Sequence, residues 1–387
     1  MVRTSLRACL TLICRAVLLA APTSSHATTI HVPSEQPTIQ AGIDAASAGD
    51  TVIVASGTYT WTGEGSAGFF ALIEMESGVF LRGETGEANG VTIDGEDQGR
   101  VIYCLNCDST TRIEGFTITG GRLTAAGWPG SGAGMKLENS TPTVLRCAFV
   151  ANTTVNAGGG GVYCLSSSDA VFSLCTFSGN SASYGGGLGC SSSSPEILEC
   201  TFLGNSADHG GAISCHDSSP PIGFTVFYQN SATAGGGLQC DTSSSPDLMR
   251  CTFSDNSAGY LGSGIYCMGS SSPALQRTII AGAPHGCAVA CDATSAAALD
   301  CCDVYGNLDG DWIDCIAGQA GSGNNISLDP LLCDPPGGNF GVAPDSPCYE
   351  TASPCGFTIG ALDISCTSGE QAPAERTTWS TIKALYR

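Results

Sequence analysis

A block of about 25 residues repeats five times in the middle of this chain, and it limits the possible folds more than any other feature. One copy runs from Gly185 to His209 and reads GGGLGCSSSSPEILECTFLGNSADH. A phenylalanine recurs at steps of 28, 25, 25 and 26 residues, at Phe149, Phe177, Phe202, Phe227 and Phe253. A period of roughly 20 to 50 residues is typical of a solenoid of stacked coils.

Two further columns keep the same register. An asparagine follows each phenylalanine by three residues, at Asn152, Asn180, Asn205, Asn230 and Asn256. A cysteine follows the apolar residue of each glycine-rich stretch by two residues, at Cys164, Cys190, Cys215, Cys240 and Cys267. Equivalent residues of neighbouring coils lie about 4.8 Å apart in such a solenoid, so each column is predicted to form a ladder. We interpret all three ladders as structural rather than catalytic.

Two kinds of corner are expected between the strands. The asparagine column is predicted to lie at a corner, because asparagine tolerates left-handed backbone angles and its amide can bond its equivalents in adjacent coils. Glycine pairs such as Gly186-Gly187, Gly210-Gly211 and Gly236-Gly237 are predicted to serve the other tight corner, since glycine reaches positive φ without a Cβ penalty.

The remaining alternation has a period of two. Leu198, Cys200 and Phe202 have one parity, and Glu199 and Thr201 have the other, as expected of one strand with a single buried face. No segment of the repeat is long and periodic enough for a helix. We therefore predict an all-β fold, in which the short strands of each coil pair in parallel with those of the next coil.

The pattern SSPxLxxCTFxxNSAxxGGGL resembles the repeat of right-handed parallel β-helix proteins of bacterial secreted and surface type, in the pectin-lyase-like superfamily. Segments Phe202–Asn205 and Gly210–Ile213 are also similar to the FxxN and GGAI repeats of polymorphic outer membrane proteins. The resemblance extends from about Thr29 to Cys366. It implies a single right-handed parallel β-helix of about 25-residue coils with a short N-terminal capping helix, and it leaves the function open.

The two ends of the chain differ from the repeats. Residues 1–27 combine a basic start, a short apolar run and an A-x-A-like exit, which is typical of a secretory signal peptide. Residues 33–46 have a helical pattern with Ser34 as the expected N-cap, and they resemble the cap of secreted β-helices. The segment from Thr377 to Arg387 also has helical spacing, and both docking and an export role remain open for it. We predict a signal peptide at 1–27, a cap and first strand at 28–58, β-helix coils at 59–282 with regular repeats at 131–280, irregular cysteine-rich coils and a cap at 283–366, and a C-terminal tail at 367–387.

The net charge of −21 excludes a basic groove for nucleic acid. No apolar run is long enough to span a bilayer. The acidity permits Ca²⁺ binding, and Asn307, Asp309 and Asp311 alternate like the first half of a calcium loop. Trp312 stands where that loop needs glycine, so we interpret the segment as a structural turn and predict no cofactor. We expect a monomer that is secreted or held at the cell surface.

Cysteine is abundant, with 22 residues in the chain. Export favours disulfides, but stacked cysteines about 4.8 Å apart lie slightly beyond the usual Cβ separation of a disulfide. Pairing within a coil, such as Cys164 with Cys175, is an alternative. We expect buried thiols in the repeats and disulfides in the C-terminal region. The isolated pair Cys104 and Cys107 is a weak signal for zinc.

No complete catalytic or metal-binding motif is present, so no catalytic residue is predicted. The resemblance would imply calcium ligands with a basic residue in a lyase, or Asn-Thr-Asp, Asp-Asp, Gly-His-Gly and Arg-Ile-Lys sets in a galacturonan hydrolase, and those four sets are missing. Arg146 and Arg250 align with Glu199 at an outward position that we interpret as a solvated face. The loop 120–132 contains Trp128, a candidate sugar platform. Exposed carboxylates that do not share one column are Asp208, Asp217, Asp241, Asp247 and Asp255.

Three hypotheses about function follow. The leading hypothesis is a non-enzymatic β-helix that presents a repetitive surface to a carbohydrate or to a surface protein. The competing hypothesis is a divergent polysaccharide lyase or glycoside hydrolase that uses the acidic corners or the Trp128 loop. The third is a structural spacer without any ligand.

Overall fold

The computed structural model describes residues 27–61, 71–127, 130–363 and 366. Residues 1–26 of the expected signal peptide, Trp128 and the tail 367–387 lie outside this part of the chain. The described chain is a right-handed parallel β-solenoid of about 10 turns, with coils of about 26 residues. The predicted all-β fold class is therefore confirmed.

Four parallel sheets, named A to D here, run along the described solenoid, and a short antiparallel pair follows them. Sheet A contains Thr29–Val32, Thr51–Val54, Phe80–Gly83, Arg112–Glu114, Thr143–Leu145, Val171–Ser173, Glu196–Leu198, Ile222–Gly223, Asp247–Met249, Ala274–Gln276 and Ala298–Asp300. Sheet B contains Gly57–Thr60, Val91–Asp94, Phe116–Thr119, Ala148–Val150, Thr176–Ser178, Thr201–Leu203, Val226–Tyr228, Thr252–Ser254, Ile279–Ala281 and Asp303–Tyr305. Sheet C contains Ala71–Met75, Arg100–Leu105, Met135–Glu138, Val162–Leu165, Leu188–Ser191, Ile213–His216, Leu238–Asp241, Ile265–Cys267 and Val289–Cys291. Sheet D contains Arg122–Leu123, Thr153–Thr154, Ser181–Tyr184, Ser206–His209, Ser231–Ala234 and Ser257–Leu261, and the antiparallel pair is Leu332–Asp334 with Asn339–Val342.

One α-helix, Ile39–Ala45, covers the first coil. Its buried Ile39 and Ile43 belong to the same core as the strands, so the helix shields apolar groups that the end of a solenoid would otherwise expose. The N-cap is Thr38, whose hydroxyl oxygen accepts a hydrogen bond from the backbone N of Ala41 at 3.1 Å. The prediction of Ser34 as the cap was wrong, because residues 33–36 form a turn ahead of the helix. Two 3₁₀ turns, Asp314–Ile316 and Pro335–Gly337, follow the last coils.

A left-handed residue divides what the sequence predicted as one strand. Glu196–Leu198 belongs to sheet A, Thr201–Leu203 belongs to sheet B, and Glu199 between them has a φ of 52°. The bend shifts the alternation, so Ile197 rather than Leu198 joins the main core. The prediction of one continuous strand was wrong because a left-handed glutamate has no signature in the sequence pattern. The equivalent positions are also left-handed, and we call this series the corner row: Arg146, Leu174, Glu199, Phe224, Arg250 and Arg277.

The phenylalanine column is a continuous stack inside the solenoid. Successive rings from Phe149 to Phe253 are nearly parallel, with centroids 5.1, 4.4, 5.2 and 4.2 Å apart. All five rings are at most 1% exposed. Burial of each ring contributes roughly 2 to 3 kcal/mol, so the stack is a main source of cohesion between coils.

The asparagine column links each coil to its neighbours through buried amides. The Oδ1 atom of Asn205 accepts from the backbone N and the Nδ2 of Asn180 at 3.1 and 2.9 Å. Its Nδ2 atom donates to the carbonyl of Phe177 and to Oδ1 of Asn230, both at 2.9 Å. The left-handed angle expected at the asparagines lies instead at the residue before each one, as at Gly204. The asparagines are therefore selected for their amides rather than for their backbone angles.

The glycine corner also differs in detail from the expectation. Positive φ angles occur at the first glycine of each group, Gly185, Gly210 and Gly235, rather than at Gly186. A Cβ on Gly186 would lie 2.5 Å from the carbonyl oxygen of Gly211, so this second glycine allows neighbouring coils to approach closely.

The cysteines divide between thiols and disulfides along the chain. Cys164, Cys175 and the other repeat cysteines are free and buried, so the alternative of pairing within a coil is not realised. Disulfides join Cys291 to Cys315, Cys301 to Cys355 and Cys333 to Cys366. This division agrees with the expectation of thiols in the repeats and disulfides in the C-terminal region. The thiols fill core space as small apolar groups.

Candidate binding surface

The outer face of sheet B is covered at one end and uncovered at the other. Residues 332–363, which we call the C-terminal segment, turn back from the last coils and lie against this face. Phe340 packs edge-on against Tyr228 with ring centroids 5.0 Å apart, and Ala361 joins them and Val226 in one buried cluster. A second cluster contains Ile279 from sheet B and Val342 from the segment. The outward side chains of the sheet B strands from Val226 to Ala281 are consequently buried.

Polar contacts and a disulfide fasten the C-terminal segment to the solenoid. The backbone N of Ala361 donates to the Thr252 hydroxyl at 2.9 Å, and the backbone N of Gly360 donates to the Arg277 carbonyl at 2.8 Å. The Cys301–Cys355 disulfide joins the segment covalently to the edge of the last coils. The segment is therefore an integral part of the folded chain.

The described residues leave the same face partly exposed over the earlier coils, where its outward residues are mainly hydroxyl-bearing and where the Thr117 hydroxyl donates to the carbonyl of Ala88 at 2.8 Å. Thr92, Thr117, Thr176 and Thr201 are all partly exposed. They belong to one outward column, in which Ala148 takes the place between Thr117 and Thr176. We call the outward residues of sheet B from 92 to 203 the threonine face. Its second column contains Asp94, Thr119, Val150, Ser178 and Leu203.

The corner row borders the threonine face, because each of its residues precedes a sheet B strand by two positions. Side chains of the row extend over the outer surface of sheet A. Phe224 packs with Leu198 and Met249 in a small cluster, and the guanidinium of Arg250 lies 4.8 Å from the centre of the Phe224 ring. The row therefore forms one wall of the surface beside the threonine face.

Two arginines of the corner row, Arg146 and Arg250, are engaged by carboxylates, and the guanidinium of Arg277 lies 4.0 Å from the centre of the Phe357 ring. Arg146 contacts Glu114 through Nη1 at 3.2 Å and Glu87 through Nε at 3.5 Å. Arg250 is 8% exposed and forms a 2.6 Å ion pair with Asp363 of the C-terminal segment. The interpretation of Arg146 and Arg250 as a solvated face was therefore wrong, because their partners come from other parts of the chain.

Glu199 has a different environment from the other carboxylates of this surface. It is partly exposed, and burial raises the pKa of its side chain. Leu174 and Phe224 flank it in the corner row, one coil away on either side. Among the described residues no lysine, arginine or histidine forms an ion pair with it. Glu199 is thus a carboxyl group held beside apolar side chains at the edge of the threonine face.

Comparison with known proteins agrees with this architecture. Residues 77–253 match the family described as right handed beta helix region. The middle of the chain is a right-handed β-helix. Residues 250–268 match the Chlamydia polymorphic membrane protein repeat. The crystal structure of pectate lyase Pel9A is similar at 11% sequence identity and a TM-score of 0.47, over 88% of this chain and 97% of that chain. No curated protein matches the sequence.

The β-helix separates the carboxylates that were candidates for hydrolysis. Asp241 contacts Nδ1 of His216 at 3.3 Å, Asp217 accepts from the Ser192 hydroxyl at 3.1 Å, and Asp255 accepts from the Ser254 hydroxyl at 3.1 Å. Asp208 lies on sheet D and Asp247 on sheet A. Asp217 and Asp241 lie on adjacent coils, where the backbone N of Asp217 donates to the carbonyl of Asp241 at 3.3 Å, but no described contact joins the carboxylates of any two of these five residues.

The candidate calcium segment of the β-helix is a hydrogen-bonded turn. Asp311 accepts from the backbone N of Gly306 at 3.1 Å and of Asn307 at 2.8 Å, and Asp309 accepts from the backbone N of Gly286 at 2.7 Å. The described residues contain no group of three or more histidine, cysteine or acidic side chains placed to bind a metal ion. They also contain no helix with the length and apolar character required to cross a bilayer.

The sequence analysis missed both parts of this surface. Outward threonines recur in sheet B in front of core residues, as in Thr176-Phe177 and Thr201-Phe202, and this alternation was available in the sequence. The covering of the later coils could not be predicted from the repeat pattern, because the C-terminal segment that covers them lies far away in the chain. Trp128, the candidate sugar platform, lies outside the described residues.

Proposed function

We propose that this chain is a secreted or cell-surface β-helix protein that binds an extended polymer along the threonine face, without catalysing a reaction. A polysaccharide is the favoured partner, and an extended segment of a surface protein is the alternative. The observation that carries the proposal is the change along sheet B from a covered apolar surface at Val226 and Ile279 to an uncovered hydroxyl surface at Thr176 and Thr201.

The chemistry of the threonine face suits a hydroxyl-rich polymer. Each threonine hydroxyl can donate one hydrogen bond and accept two. Thr176 and Thr201 are paired in register on adjacent strands, and so repeat at the spacing of about 4.8 Å between strands. A polysaccharide offers hydroxyl groups at regular intervals, and the threonine methyl groups offer apolar contact to its C–H surfaces. Many weak contacts in series give useful affinity even when each contributes little.

The ion pairing of the charged groups beside the threonine face favours a binding function over a catalytic function. Arg146 and Arg250 of the corner row are held by Glu114 and Asp363. General acid–base catalysis requires groups that can exchange protons with the substrate, and glycoside hydrolysis normally requires two facing carboxyl groups. Among the described residues, no second carboxylate contributes to the raised pKa of Glu199.

Export is supported by two observations of different kind. Three disulfides lie in the C-terminal region, and disulfides persist in oxidising compartments. The match to a polymorphic membrane protein repeat suggests a surface location. We propose that the mature protein acts outside the cytoplasm as a monomer without a cofactor and without nucleic acid.

A divergent polysaccharide lyase or glycoside hydrolase is the second candidate, and one observation favours it. Burial raises the pKa of Glu199, which is the direction expected of a carboxyl group that serves as a general acid. This alternative would place the reaction at the border between the corner row and the threonine face.

Binding and turnover can be measured on the same preparations. The exported protein is screened against immobilised polysaccharides and surface-protein extracts, and hydrogen–deuterium exchange with the bound polymer maps the contact. We expect protection at Thr176–Ser178 and Thr201–Leu203 and no new reducing ends or unsaturated products. Protection confined to sheet D, or no binding to any polymer, would overturn the binding proposal, and turnover lost in Glu199→Gln would establish the enzyme instead.

A further inference from the structure

We infer that the threonine face selects a neutral polysaccharide and rejects polyuronates and other anionic polymers. This inference rests on the proposed function and specifies its ligand class. It follows from three charged residues of the corner row, since Arg146 and Arg250 are paired with carboxylates and Glu199 is acidic.

At one end of the corner row, the guanidinium of Arg146 interacts with the carboxylates of Glu114 and Glu87. Arg146 lies 3.2 Å from Glu114 and 3.5 Å from Glu87, and Glu114 also pairs with Arg112 at 2.9 Å. The Glu114 side chain is only 8% exposed. A uronate that bound Arg146 would have to compete with both Glu87 and the largely buried Glu114, which would keep only Arg112 as an ion-pair partner. Arg146 is therefore a poor receptor for an anionic sugar.

Further along the row, the C-terminal segment interacts with the guanidinium of Arg250. Arg250 donates from Nε to the carbonyl of Gly360 at 3.2 Å and from Nη2 to Asp363 at 2.6 Å. Its side chain is 9% exposed, so little of the guanidinium is left for a ligand. Asp363 thus takes the place that a ligand carboxylate would need.

Between these two arginines, the corner row is acidic or apolar. Glu199 is flanked by Leu174 and Phe224, and on an earlier coil, beyond Arg146, Asp94 adds a carboxylate to the second column of the threonine face. A ligand carboxylate near Glu199 would meet like charge in a partly desolvated site, which costs free energy. The whole chain carries a net charge of −21, and its long-range field adds to this repulsion.

Uncharged sugar rings avoid both the competition with paired carboxylates and the repulsion by Glu199. Hydroxyl groups of the ligand can bond the side chains of Thr176, Thr201 and Glu199, and ring C–H groups can pack on Leu174 and Phe224. Glu199 accepts hydrogen bonds as a carboxylate and can also donate one when protonated. The site therefore provides hydrogen-bond partners for a neutral polysaccharide. It provides no interaction that would offset the desolvation and repulsion of the carboxylates of a charged polysaccharide.

Affinity electrophoresis of the exported protein tests this inference with two matched sets of soluble polymers. The neutral set contains glucans, mannans, galactans and xylans, and the anionic set contains polygalacturonate and alginate. All gels are run at low salt and neutral pH, where electrostatic effects are largest. We expect at least one neutral polymer to retard the protein, with a dissociation constant at least tenfold below that for either polyuronate.

Two variants test whether Glu199 contributes to the discrimination against polyuronates. Glu199→Lys replaces the acid by a cation, and it is expected to gain affinity for polyuronate by at least fivefold. Asp208→Lys, at an exposed position on sheet D, makes the same change of two charge units away from the face and is the control. Tighter binding of polyuronate than of any neutral polymer, or equal binding of both classes, overturns the ligand class while the proposed function stands. Retardation by neither set contradicts the polysaccharide-binding function on which the inference rests.

Discussion

Arg250 and Asp363 lie 113 residues apart in the chain and form a 2.6 Å ion pair that fastens the C-terminal segment to the solenoid. The pair joins a nearly buried cation to a largely exposed carboxylate, since Asp363 has a side-chain exposure of 71%. The contact shapes the functional surface, because the segment covers the later coils of sheet B and leaves the threonine face open.

Asp363→Asn should loosen the end of the C-terminal segment without unfolding the solenoid. The exposed partner limits the loss to about 1 kcal/mol, because solvent screens such pairs. We expect faster amide exchange at residues 357–363 and unchanged exchange in the phenylalanine stack. Asp345→Asn removes a carboxylate from an exposed position of the same segment and serves as the control. Equal exchange in both variants would show that the ion pair does not hold the segment.

Asn205→Ala should destabilise the β-helix strongly. The substitution removes two acceptor contacts from Asn180 and two donor contacts to Phe177 and Asn230, all in a buried ladder. Unpaired buried polar groups cost roughly 1 to 3 kcal/mol each, so we expect a loss of about 3 to 5 kcal/mol of unfolding free energy in urea. Thr233→Ala, exposed on sheet D, should change it by less than about 0.5 kcal/mol. A similarly small loss for Asn205→Ala would contradict the role of the amide ladder.

Thiol counting should distinguish the two classes of cysteine. Among the described residues, fourteen cysteines lie outside the three disulfides, and all of them are buried. The assay uses the mature protein, which lacks Cys9 and Cys14 of the expected signal peptide. Burial raises the pKa of the Cys251 and Cys302 thiols to about 12, so few of these groups are ionised at neutral pH. The native protein should resist alkylation, and the denatured, non-reduced protein should take up fourteen alkyl groups. Substantially fewer would mean that repeat cysteines pair with one another.

The C-terminal segment should be held more firmly in mild acid than in mild alkali. Burial raises the pKa of Asp303 to about 7, and the nearby Asp311 and Asp329 carboxylates act in the same direction. The thiol of Cys348 in the segment donates to Asp303 Oδ2 at 3.1 Å, and the backbone N of Leu328 donates to Oδ1 at 3.1 Å. A folded pKa above the unfolded value of about 3.9 gives stability that is complete below pH 4 and lost as the pH rises through 7.

The measurement is the free energy of opening of residues 326–349 by hydrogen exchange, corrected for intrinsic rates. Between pH 5 and pH 8 the wild-type protein should lose about 3 kcal/mol relative to Asp303→Asn, since one pKa unit corresponds to about 1.4 kcal/mol. Parallel pH profiles for the two proteins would exclude Asp303 as the titrating group.

Features that depend on a single inward-facing position, repeated once in every coil, could be predicted from the sequence. Phe177 and Phe202 recur at one coil length and point inward, so their stacking follows from strand geometry alone. The bend at Glu199 was missed because left-handed glutamate, arginine and leucine occupy equivalent positions and share no side-chain property. The burial of Arg250 was missed for another reason: its partner comes from a segment outside the repeats. The threonine face could be predicted from the sequence only in part, because the C-terminal segment determines where the exposed part of sheet B ends.

The proposed function stands on the hydroxyl groups of the threonine face, and a double substitution tests them most directly. Thr176→Val with Thr201→Val keeps the shape and β-branching of both residues while it removes the two hydroxyls. The dissociation constant for the best neutral polysaccharide is compared with that of the wild-type protein and of Thr233→Val, which changes an exposed threonine on sheet D. At roughly 0.5 to 1.5 kcal/mol for each hydrogen bond, we predict a 5- to 100-fold loss of affinity in the double variant and no change in the control. Unchanged affinity in the double variant would contradict binding at the threonine face.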